Sequence, residues 1–247
     1  KLMTIYMVFE LLKEGGLSLE DKFLVSKKAW RKGGSKMFVK VNSQVRVDDL
    51  LRGIIVQSGN DACIVFAEGL AGSEESFANQ MTKRALELGL KNSTFKNATG
   101  WPHPEHLMSV RDIAHLSMRI VQDFPDYYTM FSEKNFSYNK INQGNRNPLL
   151  YRDSGADGLK TGYTEASGYG LAASALRGER RVVLVVNGLP SVRVRSSDSL
   201  RLIDWAFRAF ENYSLFENGA TVDHIDVWLG TEPTVPVVIE RDIMITL

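Results

Sequence analysis

Residues 158–188 read GLKTGYTEASGYGLAASALRGERRVVLVVNG. Three β-rich runs, GLKTGYT, GYGLAASAL and RRVVLVVNG, are separated by turn residues, which predicts three strands in succession. The GYG at Gly168–Gly170 is not a dinucleotide loop, because it runs directly into the strand-like LAASAL instead of opening a helix. Its glycines leave room for close packing.

Upstream of this block the chain reads as helical. KLMTIYMVFELLKEGG (1–16) has only Thr4 and Glu10 as polar residues between Leu2 and Leu12. A helix apolar almost all round is surrounded by protein, and Gly15-Gly16 supply its C-terminal stop. No small-residue cleavage site follows, so a signal-peptide core is not the reading. KMFVKVNSQVRV (36–47) shows short β-like alternations, with Asn42 and Ser43 as turn formers. VDDLLRGIIVQ and NDACIVFAEGL read as helices on either side of SGN. SEESFANQMTKRALELG is an amphipathic helix closed by Gly89, and SVRDIAHLSMRIVQD carries Ser109 and Asp112 in the positions of an N-cap and its N3 carboxylate.

Downstream, DSLRLIDWAFRAFENY (198–213) is a helix with Leu200, Ile203, Trp205, Ala206, Phe207 and Phe210 on its apolar face. From there HIDVWLG, TVPVVIE and DIMITL are short strands. The pattern is α+β: one domain over 1–212, then the beginning of a β-rich second domain over 213–247. The latter is too short for a core of its own and stops inside an apparent strand, which is the expectation for a C-terminally truncated chain.

Bulk properties exclude several classes. Of the 247 residues, 44% are hydrophobic and 24% charged, with a formal net charge of +1. This is globular composition without a general bias towards nucleic acid or anionic membrane. No apolar run reaches the roughly 18 residues that span a bilayer. The one cysteine, Cys63, rules out an intramolecular disulfide and a cysteine metal site, and its ACIVFA setting marks it as a buried hydrophobe. The basic SKKAWRKGG (26–34) reads as a solvated loop. His103 and His106 have H-x-x-H spacing, but in a proline-stiffened loop with no third ligand, so no metal site is expected. No cofactor is expected either.

Two short motifs carry the chemistry: Ser58-Gly59-Asn60 and Lys160-Thr161-Gly162. Alone, each has a bland reading: Ser58 or Asn60 as a helix cap, Lys160 as a solvated strand charge, Arg146 as a loop charge. In this order they resemble the S-x-x-K, S-x-N and K-T-G set of serine acyltransferases. That set needs a serine and a lysine at i and i+3 on one helix face, so that the amine reaches the hydroxyl. The matches STFK (Ser93 to Lys96) and SYNK (Ser137 to Lys140) fall after SGN in polar, loop-like surroundings and are rejected. Lys1 stands at the first position of the most buried-looking helix. The expectation is therefore that Lys1 is the motif lysine and that the nucleophilic serine lies three residues before it, outside this sequence.

With KLMTIYMVFELL, VDDLLRGIIVQSGNDACIVFAEGLAGSEESF, NATGW and NRNPLLYRDSGADGLKTGYTEASGYGLAASA in view, the chain resembles the D-alanyl-D-alanine carboxypeptidases, the low-molecular-mass penicillin-binding proteins of the serine DD-peptidase family. The resemblance implies a fold like that of β-lactamases, with an antiparallel sheet flanked by helices. It implies hydrolysis of terminal D-Ala-D-Ala in peptidoglycan pentapeptides through an acyl-serine, with β-lactam antibiotics as covalent inhibitors. Lys1 takes the serine proton, which requires an amine kept neutral by burial and by a second cation, Lys160. Ser58 relays a proton to the leaving D-alanine. Asn60 holds the substrate amide. The Lys160-Thr161-Gly162 strand pairs with the substrate backbone, Gly162 leaving room for its approach. Lys160, Thr161 and Arg146 face the terminal carboxylate. Tyr163 lends its backbone N–H to the oxyanion hole; some members carry histidine there. The implied compartment is the bacterial cell envelope, on the periplasmic side of the inner membrane. A membrane surface is a candidate partner, since members often end in an amphipathic anchor; nucleic acid is not. Two other readings stay open: a β-lactamase, against which Glu75 to Asn79 comes too soon after SGN and within a helix, and a binding module that keeps the groove without the nucleophile.

Overall fold

The computed structural model describes residues 1–247, in the order α1 (Leu2–Lys13), β1 (Lys22–Leu24), α2 (Lys27–Arg31), β2 (Gln44–Arg46), α3 (Val47–Ile55), α4 (Asn60–Ala71), α5 (Glu74–Glu87), β3 (Ser93–Thr94), β4 (Leu107–Met108), α6 (Val110–Asp123), α7 (Pro125–Tyr128), β5 (Asn135–Tyr138), β6 (Ile141–Gly144), β7 (Ala156–Thr164), β8 (Gly168–Arg177), β9 (Arg180–Leu189), α8 (Val192–Ala209) and β10 to β13 (Asn212–Phe216, Thr221–Asp226, Thr234–Val238, Ile243–Thr246). The chain divides into two compact units, Lys1–Ile203 and Asp204–Leu247. No helix is long and apolar enough to cross a membrane.

In the first unit, helix α1 is the centre of the core. Ile5, Val8 and Phe9 have no exposed surface. The Phe9 ring lies 5.7, 5.4 and 6.3 Å from those of Phe124, Tyr127 and Phe131, and truncating such a residue to alanine costs about 3–5 kcal/mol. Thr4 and Glu10 within the helix are both satisfied. Buried Thr4 donates to the Ala98 carbonyl at 2.8 Å, and Glu10 pairs with Arg84 of α5. A helix this apolar holds its polar groups inside protein only because each has a partner.

Strands β7, β8 and β9 form one antiparallel sheet in that order, with Lys160 opposite Ala172 and Gly162 opposite Gly170. Helix α6 packs on β8 and β9. Ser109 caps it by accepting from the Asp112 N–H at 3.1 Å. The Asp112 carboxylate does not reciprocate; it accepts instead from the Asn92 N–H and the Ser93 hydroxyl.

Segment 36–43 differs from its sequence pattern. Only Gln44–Arg46 is a strand, paired with β1. The N–H groups of Met37, Phe38 and Val39 all donate to the Asp61 carboxylate, at 3.0, 2.9 and 3.3 Å, so a side chain takes the donors a neighbouring strand would have used. Phe38 and Asn42 have positive φ, which also breaks the extended run. In the second unit, β10 pairs with β13 and β11 with β12, each antiparallel.

Candidate active site

Ser58 follows helix α3 in a left-handed conformation, φ +60°, its N–H donating to the Ile54 carbonyl. Such a conformation is costly for a side chain with a Cβ and persists where the surroundings fix it. Here it aims the hydroxyl at α1: Lys1 Nζ donates to Ser58 Oγ at 3.0 Å. Helix α4 takes Gly59 as its N-cap, with no side-chain cap bond. The SGN side chains therefore do not cap the helix. Asn60, 5% exposed, donates from Nδ2 to the Gly33 carbonyl at 2.8 Å, and its N–H donates to the Ser35 carbonyl at 2.7 Å.

Arg146 reaches the same loop as Asn60. Its flanking asparagines are buried. Asn145 Nδ2 donates to the Glu133 carbonyl at 2.9 Å, and Asn147 Nδ2 to the Gly158 carbonyl on β7 at 2.9 Å. These anchors tie the loop to the sheet and leave the guanidinium to donate to Ser35 Oγ at 2.6 Å. Residues 33–35 thus join Asn60 to Arg146.

Lys160 is buried on β7, its ammonium donating to the Thr161 carbonyl at 3.2 Å. β7 is an edge strand. Thr161 is partly exposed and Gly162 exposed, and a Cβ on Gly162 would meet no atom within 4 Å. That strand edge is open to an incoming chain. Tyr163 is exposed and lies against Tyr169 with the rings tilted, centroids 4.3 Å apart.

The electrostatics is that of a crowded cationic pocket. Burial lowers the proton affinity of Lys1, and the charges of Arg146 and Lys32 lower it further. Lys160 is held well below the ordinary lysine range, by burial first and then by Lys1, Arg146 and Arg195. Burial also lowers Arg146 and Arg195. Opposite charge is sparse. Asp61 favours the charged form of Lys1, but its oxygens are committed to backbone N–H groups. A site of this kind binds anions and holds neutral amines.

Two residues of the site were not legible as such in the sequence. Asp61 fixes the 37–39 loop; its signal was the QSGNDA context. Arg195, in the first turns of α8, is 7% exposed with a partnerless Nε, and VRVRSSDS reads as any polar helix. Glu75 and Asn79 are exposed on α5. The rejected serines lie elsewhere: Ser93 donates to Asp112, and Ser137 to Asn142 across a hairpin. His103 and His106 accept from the Glu105 and Lys96 N–H groups, and burial brings His106 down to about 4.

A sequence profile of the Peptidase_S11 family, D-alanyl-D-alanine carboxypeptidase, matches residues 1–191. The chain is 42% identical over 242 residues to D-alanyl-D-alanine carboxypeptidase DacC of Escherichia coli K12, covering 95% of this chain and 60% of that protein. It is 38% identical to DacA of Haemophilus influenzae, covering all of this chain and 64% of that protein. The chain thus spans about three fifths of the length of these curated relatives. Among solved structures, penicillin binding protein 5 from Haemophilus influenzae superimposes with a TM-score of 0.94 at 38% identity, covering 100% of this chain and 73% of that one. Penicillin binding protein 6B from Escherichia coli gives 0.87 at 34%, covering 100% and 74%. The expected α+β fold, an antiparallel sheet flanked by helices, is the one these neighbours share.

Proposed function

Since the chain belongs to the D-alanyl-D-alanine carboxypeptidase family, we propose that residues 1–212 form a serine acyl-transfer domain that removes the terminal D-alanine from peptidoglycan stem peptides, and that 213–247 begin a β-rich C-terminal domain. The observation that carries this reading is the 3.0 Å bond between Lys1 Nζ and Ser58 Oγ in a pocket that lowers the proton affinity of both Lys1 and Lys160.

The nucleophile is a serine hydroxyl one helical turn before Lys1, the position from which an i, i+3 lysine shares its face. Its oxygen attacks the carbonyl of the penultimate residue while neutral Lys1 accepts its proton. Ser58 passes that proton to the leaving nitrogen, the C–N bond breaks and D-alanine departs. Water then attacks the ester, giving the shortened peptide and restoring the serine. Asn60 holds the amide on the acyl side. Thr161 and Gly162 offer a strand edge to the substrate backbone. Arg146, with Lys160 and Thr161, receives the terminal carboxylate. The N–H of Tyr163 and that of the serine stabilise the oxyanion. The side chain of Tyr163 is not needed for that, so the departure from histidine leaves the step intact. β-Lactams acylate the same serine. The compartment is the periplasmic side of the inner membrane, in keeping with a cell-wall substrate.

The test is the intact mass of the natural full-length protein before and after benzylpenicillin. A stable gain of one drug equivalent is expected, together with D-alanine release from a D-Ala-D-Ala peptide. Absence of both would sink the reading; a short-lived adduct with drug turnover would mark a β-lactamase instead.

A further inference from the structure

Next to Asn60, Gly34 and Trp101 come together. A Cβ on Gly34, which has φ +76°, would lie 2.8 Å from Asn60 Nδ2 and 3.1 Å from the Trp101 ring. Only glycine lets these groups approach so closely. Trp101 is 45% exposed yet its backbone is fixed. Asn97 Oδ1 accepts from the N–H groups of Thr99 and Trp101 and from the Thr99 hydroxyl, and Asn97 Nδ2 donates to the Trp101 carbonyl at 2.9 Å. A large aromatic side chain is thus carried on an anchored backbone close to Asn60 and left partly in water.

Above it sits Lys32, with Nζ 4.3 Å from the ring centroid, a cation–π distance. Its neighbours are otherwise engaged: Lys28 pairs with Glu74, Lys96 with Glu105, and Lys36 donates to the Trp30 carbonyl. Lys32 has no acidic partner, and residues 22–47 contain no Asp or Glu at all. It also lies near enough to Lys1 to oppose its charge. This is an anion-seeking group on an aromatic platform, and nothing in the acyl-transfer chemistry uses it.

We propose that Trp101 and Lys32 form an acyl-side subsite that selects donors carrying a free carboxylate on the residue preceding D-Ala-D-Ala. This rests on the acyl-transfer reading above, which puts the acyl-side amide on Asn60. From that amide the donor chain runs out past Gly34. Its carboxylate meets the Lys32 ammonium, and its aliphatic stem lies along the exposed indole edge. Lys32 and Trp101 set specificity and take no part in bond making.

The test uses the natural full-length protein and two peptides, acetyl-L-Glu-D-Ala-D-Ala and acetyl-L-Gln-D-Ala-D-Ala, compared by kcat/KM for D-alanine release. The wild type should favour the glutamyl peptide by about fivefold at low salt, the worth of one partly exposed charge pair. Lys32→Gln should bring the ratio to about one, Lys32→Glu should invert it, and Lys32→Arg should keep it. Trp101→Ala, which frees Lys32 from its platform, should lower the ratio. Because each ratio is taken on one enzyme, a general loss of activity or folding cancels. A wild-type ratio of one, or a ratio kept in Lys32→Glu, overturns the subsite while a penicilloyl adduct leaves the acyl-transfer reading standing. If neither peptide is cleaved and no adduct forms, both fall.

Discussion

Lys1 and Ser58, separated by 57 residues in the chain, are joined by a hydrogen bond of 3.0 Å between the ammonium nitrogen and the hydroxyl. The amine comes from the start of a buried helix and the hydroxyl from a left-handed turn after α3. A bond between two such fixed groups makes a proton path, because neither has to move to reach the other.

Ser58→Ala removes that path and leaves the Lys1 amine without its acceptor. D-Alanine release should fall by about 10²–10⁴-fold, the usual worth of positioned proton transfer. Far-ultraviolet circular dichroism should be unchanged. Stopped-flow acylation by a chromogenic β-lactam measures the loss; a rate within threefold of the wild type would remove Ser58 from the mechanism.

Both lysines are lowered from an ordinary value of 10.5. Between the folded and unfolded values the unfolded chain binds more protons, so stability rises with pH across that window. The penalty is fully present below the folded values and gone above the unfolded one. Acylation, which needs neutral Lys1, rises with pH over the same limb. Lys160→Met should therefore stabilise the fold at neutral pH by about 1–2 kcal/mol while abolishing acylation. Urea midpoints at pH 7 and 10 test it: the gap between variant and wild type should shrink at the higher pH.

Asp61→Ala strands the N–H groups of Met37, Phe38 and Val39. Each unsatisfied buried group costs about 1–3 kcal/mol, and the partly exposed ones recover some of that from water, so a loss of about 3 kcal/mol is expected. Since residues 33–35 connect Asn60 with Arg146, activity should fall more than stability. Asp61→Asn, which keeps one acceptor oxygen, should lie between the two. Thermal melts and steady-state kinetics read both effects, and an Asp61→Ala protein of wild-type stability would contradict the account of the loop.

Arg146→Lys keeps a charge but loses the planar fork, which Ser35 occupies on one side. Discrimination between a D-Ala-D-Ala peptide and its C-terminal carboxamide should drop by about tenfold, mainly through KM for the acid. An unchanged acid-to-amide ratio would show that Arg146 does not meet the carboxylate.

The sequence alone determined the elements whose residues argue locally. Helix α1 is apolar on nearly every face, and strands β7, β8 and β9 are β-rich runs cut by turn residues; both patterns are local ones. Ser109 as a cap was likewise readable, because it is a short signal with a local cause, whereas Ser58-Gly59-Asn60 and Lys160-Thr161-Gly162 stood out only through their order in the chain and the family resemblance. Where side chains from distant segments supply the hydrogen bonds, the tertiary structure decided. Residues 37–39 alternate like a strand, yet their donors go to Asp61, more than twenty positions away. Arg195 looks like one more surface charge on a polar helix until folding buries it over the Tyr169 ring, within electrostatic reach of Lys160. Pairing and burial of this kind depend on which segments meet, and no local period records that.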